Sequence, residues 1–415
     1  MTASQTVPVP LSKRPEFVYL VISHLFAGLA GIALATTLGL QVYRLTRDPL
    51  ALGLMGLIEA IPALSLALLG GYIADHYDRR KITLITSVVI VACVAGVLWV
   101  ALNPERWGIG AIYSLIFVYG VAAGFNRPSF SAFEQQIIPD DQVARATSVL
   151  SSVGTAGSLI GGPLAGFAID GLGIPAAYAI VIALLALSFV CVALIKARPM
   201  PTPIQGETIW QSLRAGLRFV ARSQPLIGSM ALDLFAVLFG GAMALLPIFA
   251  DDILHVGASG LGWLRTAPSL GVLAVMLWAT RRPPTHNAGR NLLIAVAAFG
   301  VSFIVFALSQ NFWLSMLALF FSGLFDGISM IIRGVIVRVM SPEAMRGRIA
   351  AVSWMFIGAS NEVGAFESGV AASWLGTAPS VFWGAVVTLG VVALVAATMP
   401  KLRNLKLSGE EAVPE

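Results

Sequence analysis

Nine ionisable side chains lie inside otherwise apolar stretches: His24, Glu59, Arg127, Asp233, Arg265, Asp326, Arg333, Glu362 and Glu367. Charges at membrane depth are costly, so they face a partner or an aqueous cavity and mark paths for ions or ligands. A carboxylate held in low dielectric is pushed towards protonation near neutral pH, which suits a reversible proton carrier. Asp233 with Glu362 is the pair expected to carry protons, with Asp326 in reserve. Asp326 and Arg333 stand seven apart on one helical face, and mutual neutralisation is the plainer reading of that pair. Glu362 and Glu367 are five apart and point to different faces. Arg127 and Arg333 offer cations to an anionic group. His24 and Glu367, with Phe26, Phe235, Phe239 and Trp354, complete an expected ligand cavity of apolar, adaptable character; Met243, Trp263 and Phe356 extend it. Facing lipid or core is the commoner fate of such aromatic residues.

These groups need elements that cross a membrane. The 415 residues are 57% hydrophobic and 11% charged, where soluble domains carry roughly 25% charged residues. A span needs about 20 mostly apolar residues, and the chain holds twelve such runs: 17–43, 51–75, 81–102, 107–134, 145–170, 174–195, 225–252, 258–280, 291–308, 312–338, 346–373 and 377–399. The polar start, Met1 to Pro15, precedes a run too long for a cleaved signal sequence. It is read as a cytoplasmic tail of the mature chain. The expected outer loops hold only Arg44, Arg47 and Arg106, and Arg127, Arg265 and Arg333 fall inside spans. All other Lys and Arg of the 26 fall on the side of the N-terminus, which is therefore expected to be cytoplasmic, as is the C-terminus. Cys93 and Cys191 sit in apolar runs as small hydrophobes, with no disulfide or metal expected.

Between spans 6 and 7 lies the polar connection 196–224. Its Arg214, Arg218 and Arg222 recur every four residues, the pattern of an amphipathic helix at an anionic membrane surface. The expected organisation is an N-terminal half (1–195), this linker, and a C-terminal half (225–415). The halves repeat. Residues 120–166 overlay 323–369 without a gap, pairing Gly120 with Gly323, Gly124 with Gly327, Pro139 with Pro342, Arg145 with Arg348 and Gly161 with Gly364. His24-Leu25-Phe26-Ala27 likewise mirrors Asp233-Leu234-Phe235-Ala236, and Pro62 mirrors Pro268. Parallel duplication of a six-helix half is a known transporter plan, with ligand bound near mid-membrane and access alternating between the two sides. The overlay also sets Glu59 against Arg265, an expected ion pair that closes the outer side. The other charges break the symmetry: Leu159 becomes Glu362, Leu164 becomes Glu367, Ala123 becomes Asp326 and Phe130 becomes Arg333. Packing alone therefore does not demand those acids.

The stretch Gly70-Gly71-Tyr72-Ile73-Ala74-Asp75-His76-Tyr77-Asp78-Arg79-Arg80-Lys81 joins spans 2 and 3. As chemistry it is a topology anchor. It resembles the loop motif of the major facilitator superfamily: Gly71, Asp75, Arg79 and Arg80 match, while His76 and Asp78 depart from the pattern. Ser341-Pro342-Glu343-Ala344-Met345-Arg346-Gly347-Arg348-Ile349 is similar to the drug-efflux branch that includes the enterobactin exporter and macrolide pumps. Gly157, Gly161, Gly162, Pro163 and Gly166 in span 5 resemble the Gly-Pro motif of drug–proton antiporters, with Phe167 where a further Gly is usual. Close helix packing with a Pro kink between the halves is its physical reading. The base that many proton antiporters carry early in span 4 has no match here, and the loop motif's second copy, around Arg281 and Arg282, has lost its acid.

The resemblance implies an all-α membrane protein of twelve spans in two pseudo-symmetric bundles. It implies a proton-coupled exporter of amphiphilic molecules, drugs or a siderophore, with Arg127 and Arg333 meeting a catecholate or carboxylate. An importer or uniporter and a non-transporting sensor are the alternatives. The loop motif implies that Asp75 docks at the start of span 11, where a helix N-terminus favours an acid. The expected partners are a small-molecule substrate, protons and membrane lipid, with no nucleic acid and no cofactor beyond the proton gradient. A monomer in the inner or plasma membrane is expected. No phosphate-binding Gly-Lys loop is present to make ATP the drive, and His24, His76, His255 and His286 stand too far apart for a paired metal helix.

Overall fold

A computed structural model describes residues 11–196, 209–240, 242–282, 284, 286–342 and 345–407. Within its helices, the side chains at 12, 68, 140, 209–213, 346–348, 350–351, 354–355, 357, 359 and 362 lie outside that description. The described chain is helical and contains no strand. Six helices make the first part: α1 (Pro15–Thr46), α2 (Pro49–His76), α3 (Arg79–Leu102), α4 (Ile109–Ile137), α5 (Val143–Leu172) and α6 (Ile174–Leu194). The amphipathic helix follows as α7 (Ile209–Arg222), with Arg214, Arg218 and Arg222 exposed and Val220 buried. The second part holds α8 (Gln224–Gly240), the short α9 (Leu246–Ile248), α10 (Gly257–Ala279), α11 (Ala288–Leu308), α12 (Phe312–Met340), α13 (Arg346–Leu375), α14 (Thr377–Thr398) and the short α15 (Pro400–Arg403).

Eleven helical stretches of the described residues are long and apolar enough to cross a membrane. The twelfth crossing of the plan is α13, continuous over 30 residues. Its polarity comes from Arg346 and Arg348 at the start and Asn361, Glu362 and Glu367 in the body. Helix ends fall within a few residues of the expected spans. Among the described residues span 7 is irregular: past α8 the chain tightens into a 3-10 turn at Ala242–Leu245, and past α9 it widens into a π turn at Phe249–Ile253. Pro247 stands in the first turn of α9, where its missing N–H is tolerated.

The chain gathers into two compact units, one of Met1–Thr37 with Ile61–Ile204, the other of Leu38–Ala60 with Gln205–Glu415. Helices α1 and α2 are thus each divided. Their connecting ends, 38–60, belong with the C-terminal helices.

Glycine sets the closest crossings. In the first unit a Cβ on Gly157 would lie 2.6 Å from the Leu25 carbonyl oxygen, and one on Gly161 2.5 Å from that of Leu29. Gly28 meets Gly154 from the other side at 2.7 Å. Much of the span-5 motif thus packs α5 on α1 of the same unit, and Gly162, Pro163 and Gly166 are buried beside it. The second unit repeats the contact, with Gly364 of α13 against Val237 and Leu238 of α8 at 2.9 and 3.1 Å. Leu238 occupies the register of Leu29, so the duplication holds at the level of one contact. It holds at the turns as well. Gly173 (φ 88°) joins α5 to α6, and Gly376 (φ 90°) joins α13 to α14, each in a conformation open to glycine.

Replacing Gly157 by Ala should destabilise the protein by about 1–3 kcal/mol, because the atoms in the way are backbone of α1, which cannot swing aside as a side chain would. Gly154→Ala, where a Cβ meets nothing within 4 Å, should be close to neutral. Melting curves of the two variants in detergent check this.

Candidate functional site

The buried charges of the second unit converge on Arg333. It extends from α12 between two acids, bonding Asp233 of α8 through Nη1 and lying 3.8 Å from Asp326 through Nη2. Arg333 and Asp233 are 13% and 8% exposed, whereas Asp326 is 43% exposed. The i, i+7 spacing puts Asp326 and Arg333 on one face of α12, and the packing of α12 on α8 supplies the third member. The arrangement has two acids to one base, with Arg333 Nε buried and lacking a hydrogen bond. Loss of either member of a desolvated pair leaves the other charge uncompensated, so the pair is held together more by that penalty than by net attraction. The two carboxylates on Arg333 thus differ: Asp233 is enclosed, and Asp326 has an open side.

The remaining expected residues of this unit are spread more widely. Phe235 and Phe239 of α8 stack with centroids 6.1 Å apart and are half-buried, as is Glu367 on α13. The side chains of Glu362 and Trp354 lie outside the described residues, and the expected pairing of Asp233 with Glu362 lies outside them too. Glu59 and Arg265 are both half-buried. The Arg265 guanidinium lies against α1, 3.5 Å from where a Cβ on Gly39 would stand, and its Nε lacks a hydrogen-bond partner.

In the first unit His24 meets Glu134 of α4, Nε2 to Oε2 3.5 Å. Its other ring nitrogen bonds the Leu20 carbonyl, and Phe130 lies against the ring at 5.3 Å. Phe26 is half-buried, and Arg127 is exposed on α4. The loop motif is a local lattice. Arg79 donates to the carbonyls of Ala74 (2.8 Å) and Ala132 (3.2 Å) and to Asp75 (3.2 Å), while Arg80 reaches the carbonyl of Ala193 on α6 (2.6 Å). Asp78, one of the two departures from the family pattern, caps α3 by accepting from the Lys81 N–H, a role for which an acid is favoured. Of the two glycines, Gly70 packs on α4 at Pro128, whereas a Cβ on Gly71 would meet open space.

Two clusters went unread in the sequence. Glu134 sits within helical reach of His24 at the same depth, and that shared depth was the available signal. The second cluster joins the end of α1 to the π turn of the same unit. Tyr43 donates to Asp252, Arg44 bonds Asp251 (3.0 Å), and Arg47 bonds both Asp252 (2.8 Å) and Asp251 (3.3 Å). Tyr43 foremost, and then the two acids, hold Arg47 above its ordinary pKa, so it is charged at any working pH. The register that pairs His24 with Asp233 also pairs Tyr43 with Asp252, and this was the overlooked signal.

A helical chain in two duplicated parts, with charges buried at membrane depth, is the construction of a major facilitator transporter. The model of the transmembrane secretion effector family matches residues 6–415, and the chain belongs to that family. It is 26% identical over 340 residues to the enterobactin exporter EntS of Escherichia coli O81 (strain ED1a), covering 81% of this chain and 79% of that one. It is 27% identical to EntS of Citrobacter koseri with the same coverage. Among solved structures, it resembles the nucleoside transporter NupG (TM-score 0.70, 15% identity, 92% of this chain and 98% of that one). It also resembles a bacterial homolog of the lysosomal transporter Spinster (TM-score 0.73, 13% identity, 95% and 98%). At these identities the solved structures speak for the fold. The protein is an integral membrane transporter related to an exporter.

A double-mutant cycle tests the central pair. Asp233→Ala and Arg333→Met should each lower stability in detergent by about 3–5 kcal/mol, and the double variant should lose clearly less than the sum. Additive losses would show that the two charges do not depend on each other.

Proposed function

We propose that the protein is a proton-coupled exporter of amphiphilic small molecules, drugs or a catechol siderophore, working as a monomer in the inner or plasma membrane by alternating access. Its halves are 1–195 and 225–415, joined by 196–224, with both termini cytoplasmic. The observation that carries the reading is Arg333 held between one buried and one accessible carboxylate. Arg333 pairs with Asp233. Asp326 alternates between accepting a hydrogen bond from a catechol or amine and taking a proton. Protonation removes the charge, weakens that bond and releases the substrate, so the two ligands compete, and competition for one group is antiport. Asp233 and Glu362 serve the same coupling. His24, Arg127, Arg333, Glu367, Phe26, Phe235, Phe239 and Trp354 line the cavity. The similarity to an enterobactin exporter supports direction and substrate class.

The runner-up is proton-linked import of an anion. An anion on Arg333 would displace the carboxylates and drive them to take up protons, so the two would travel together. Inside-out vesicles with an acidified lumen separate the readings. Catechol siderophores or amphiphilic drugs added outside should dissipate the acid gradient, and Asp326→Asn should abolish the response. Deepened acidification would favour the importer, and silence across the panel would leave the non-transporting alternative. In the same vesicles Asp75→Asn, which removes the proposed docking acid of the loop motif, should slow turnover while binding is kept.

Closure of the outer side rests on Tyr43, Arg44 and Arg47 with Asp251 and Asp252, alongside Glu59 and Arg265. Single exposed ion pairs are worth about 0–1 kcal/mol, so opening is within reach of ligand binding. Exchanging charges tests it: Arg47→Asp and Asp252→Arg should each impair efflux severalfold, and the double exchange should restore most of it. No restoration would discard the latch.

A further inference from the structure

We infer that the first unit carries a binding site for the phosphodiester headgroup of an anionic lipid, in a cavity where α1 begins and α4 and α6 end. The cavity has a volume of about 490 Å³ and is bounded by Lys13, Arg14, Glu16, Tyr19, Ile137 and Lys196, among others. That volume is within the range of small-ligand sites. Three bases face it against one acid, and none of the three forms an ion pair among the described residues. Arg14 contributes more than charge, because its Nε is buried without a hydrogen-bond partner. A buried donor left unsatisfied costs free energy, and an anionic oxygen would remove that cost.

The walls are rigid enough to hold a site. Leu11 and Phe17 are anchored in the core with Leu20, Ile137, Val192 and Ile195, which fixes the bases flanking them. The C-terminal end of α6 is held by Arg80 through the Ala193 carbonyl, three residues before Lys196. Tyr19 adds the aromatic surface common at a membrane boundary. A basic pocket between membrane helices on the cytoplasmic side suits a phospholipid headgroup, each base contributing attraction to the anionic leaflet. A zwitterionic headgroup would bring an ammonium among three cations and is disfavoured.

This inference uses the orientation proposed above to choose the lipid leaflet. Its test does not. The full-length protein in detergent is titrated with cardiolipin, phosphatidylglycerol, phosphatidylcholine and inorganic phosphate, and followed by native mass spectrometry and melting temperature. Cardiolipin and phosphatidylglycerol should be retained and raise the melting temperature, and phosphatidylcholine should do neither. Arg14→Gln with Lys196→Gln should weaken retention about tenfold or more. Lys196→Gln alone, at an exposed residue, should weaken it severalfold without loss of folding. Arg218→Gln in α7 should leave it unchanged. Equal retention of phosphatidylcholine, unchanged retention in the Lys196 variant, or equal loss in the Arg218 variant would overturn the site. A response to inorganic phosphate matching that to lipid would overturn the lipid as its source. Labelling of Lys13→Cys from the external face of cells would refute the orientation while leaving the binding result intact.

Discussion

Arg333 cannot be where it is without Asp233. A guanidinium removed from water inside a helix bundle is tolerable only with a carboxylate in contact, and that requirement fixes how α12 is turned relative to α8. The place of a second acid follows from the same constraint. Asp326 shares the face of α12 that Arg333 occupies, so turning Arg333 towards α8 brings Asp326 to the edge of the same cluster. One pair thus orients a helix and sets up a second, more accessible acid at no additional packing cost.

The two copies of the duplicated half divide the labour differently. Their packing has stayed alike: Gly161 against Leu29 and Gly364 against Leu238, Gly173 and Gly376 at matching turns. Their electrostatics have not. The first copy pairs His24 with Glu134 beside Phe130, while the second, with Asp233 and Arg333 at the registers of His24 and Phe130, gathers two acids on one base. The backbone scaffold is therefore indifferent to which copy carries charge, and function can reside in one of them.

Depth was legible in the sequence; azimuth was not. Apolar runs gave helix ends within a few residues, because the length of a run must match a membrane. A helix such as α6, apolar all round, records nothing about which side faces which neighbour. Partner choice therefore stayed hidden: Arg333 was read as a cation for a ligand or a partner for Asp326, and its bond to Asp233 needed the packing of α12 on α8. The irregular course after Gly240 lies in a stretch with Gly240, Gly241 and Pro247, but Pro62, Pro128, Pro163 and Pro268 stand inside continuous helices, so such residues alone do not tell a break from a regular span. Asp78 is the opposite case. Its role as a cap follows from a local rule, an acid immediately before a helix, and needed no tertiary information.

Only Arg47 and Asp48 separate α1 from α2, and Arg47 takes a left-handed backbone conformation (φ 51°) while the Asp48 carboxylate accepts from the Leu50 N–H at 2.9 Å. Such a joint has no slack. The bend belongs with the π turn in the second unit, where Arg47 also binds Asp252. Residues 38–60 and the π turn are therefore tied into one piece of that unit, and anything that frees Arg47 or Asp48 loosens the neighbouring ends of two long helices (32 and 28 residues) at once.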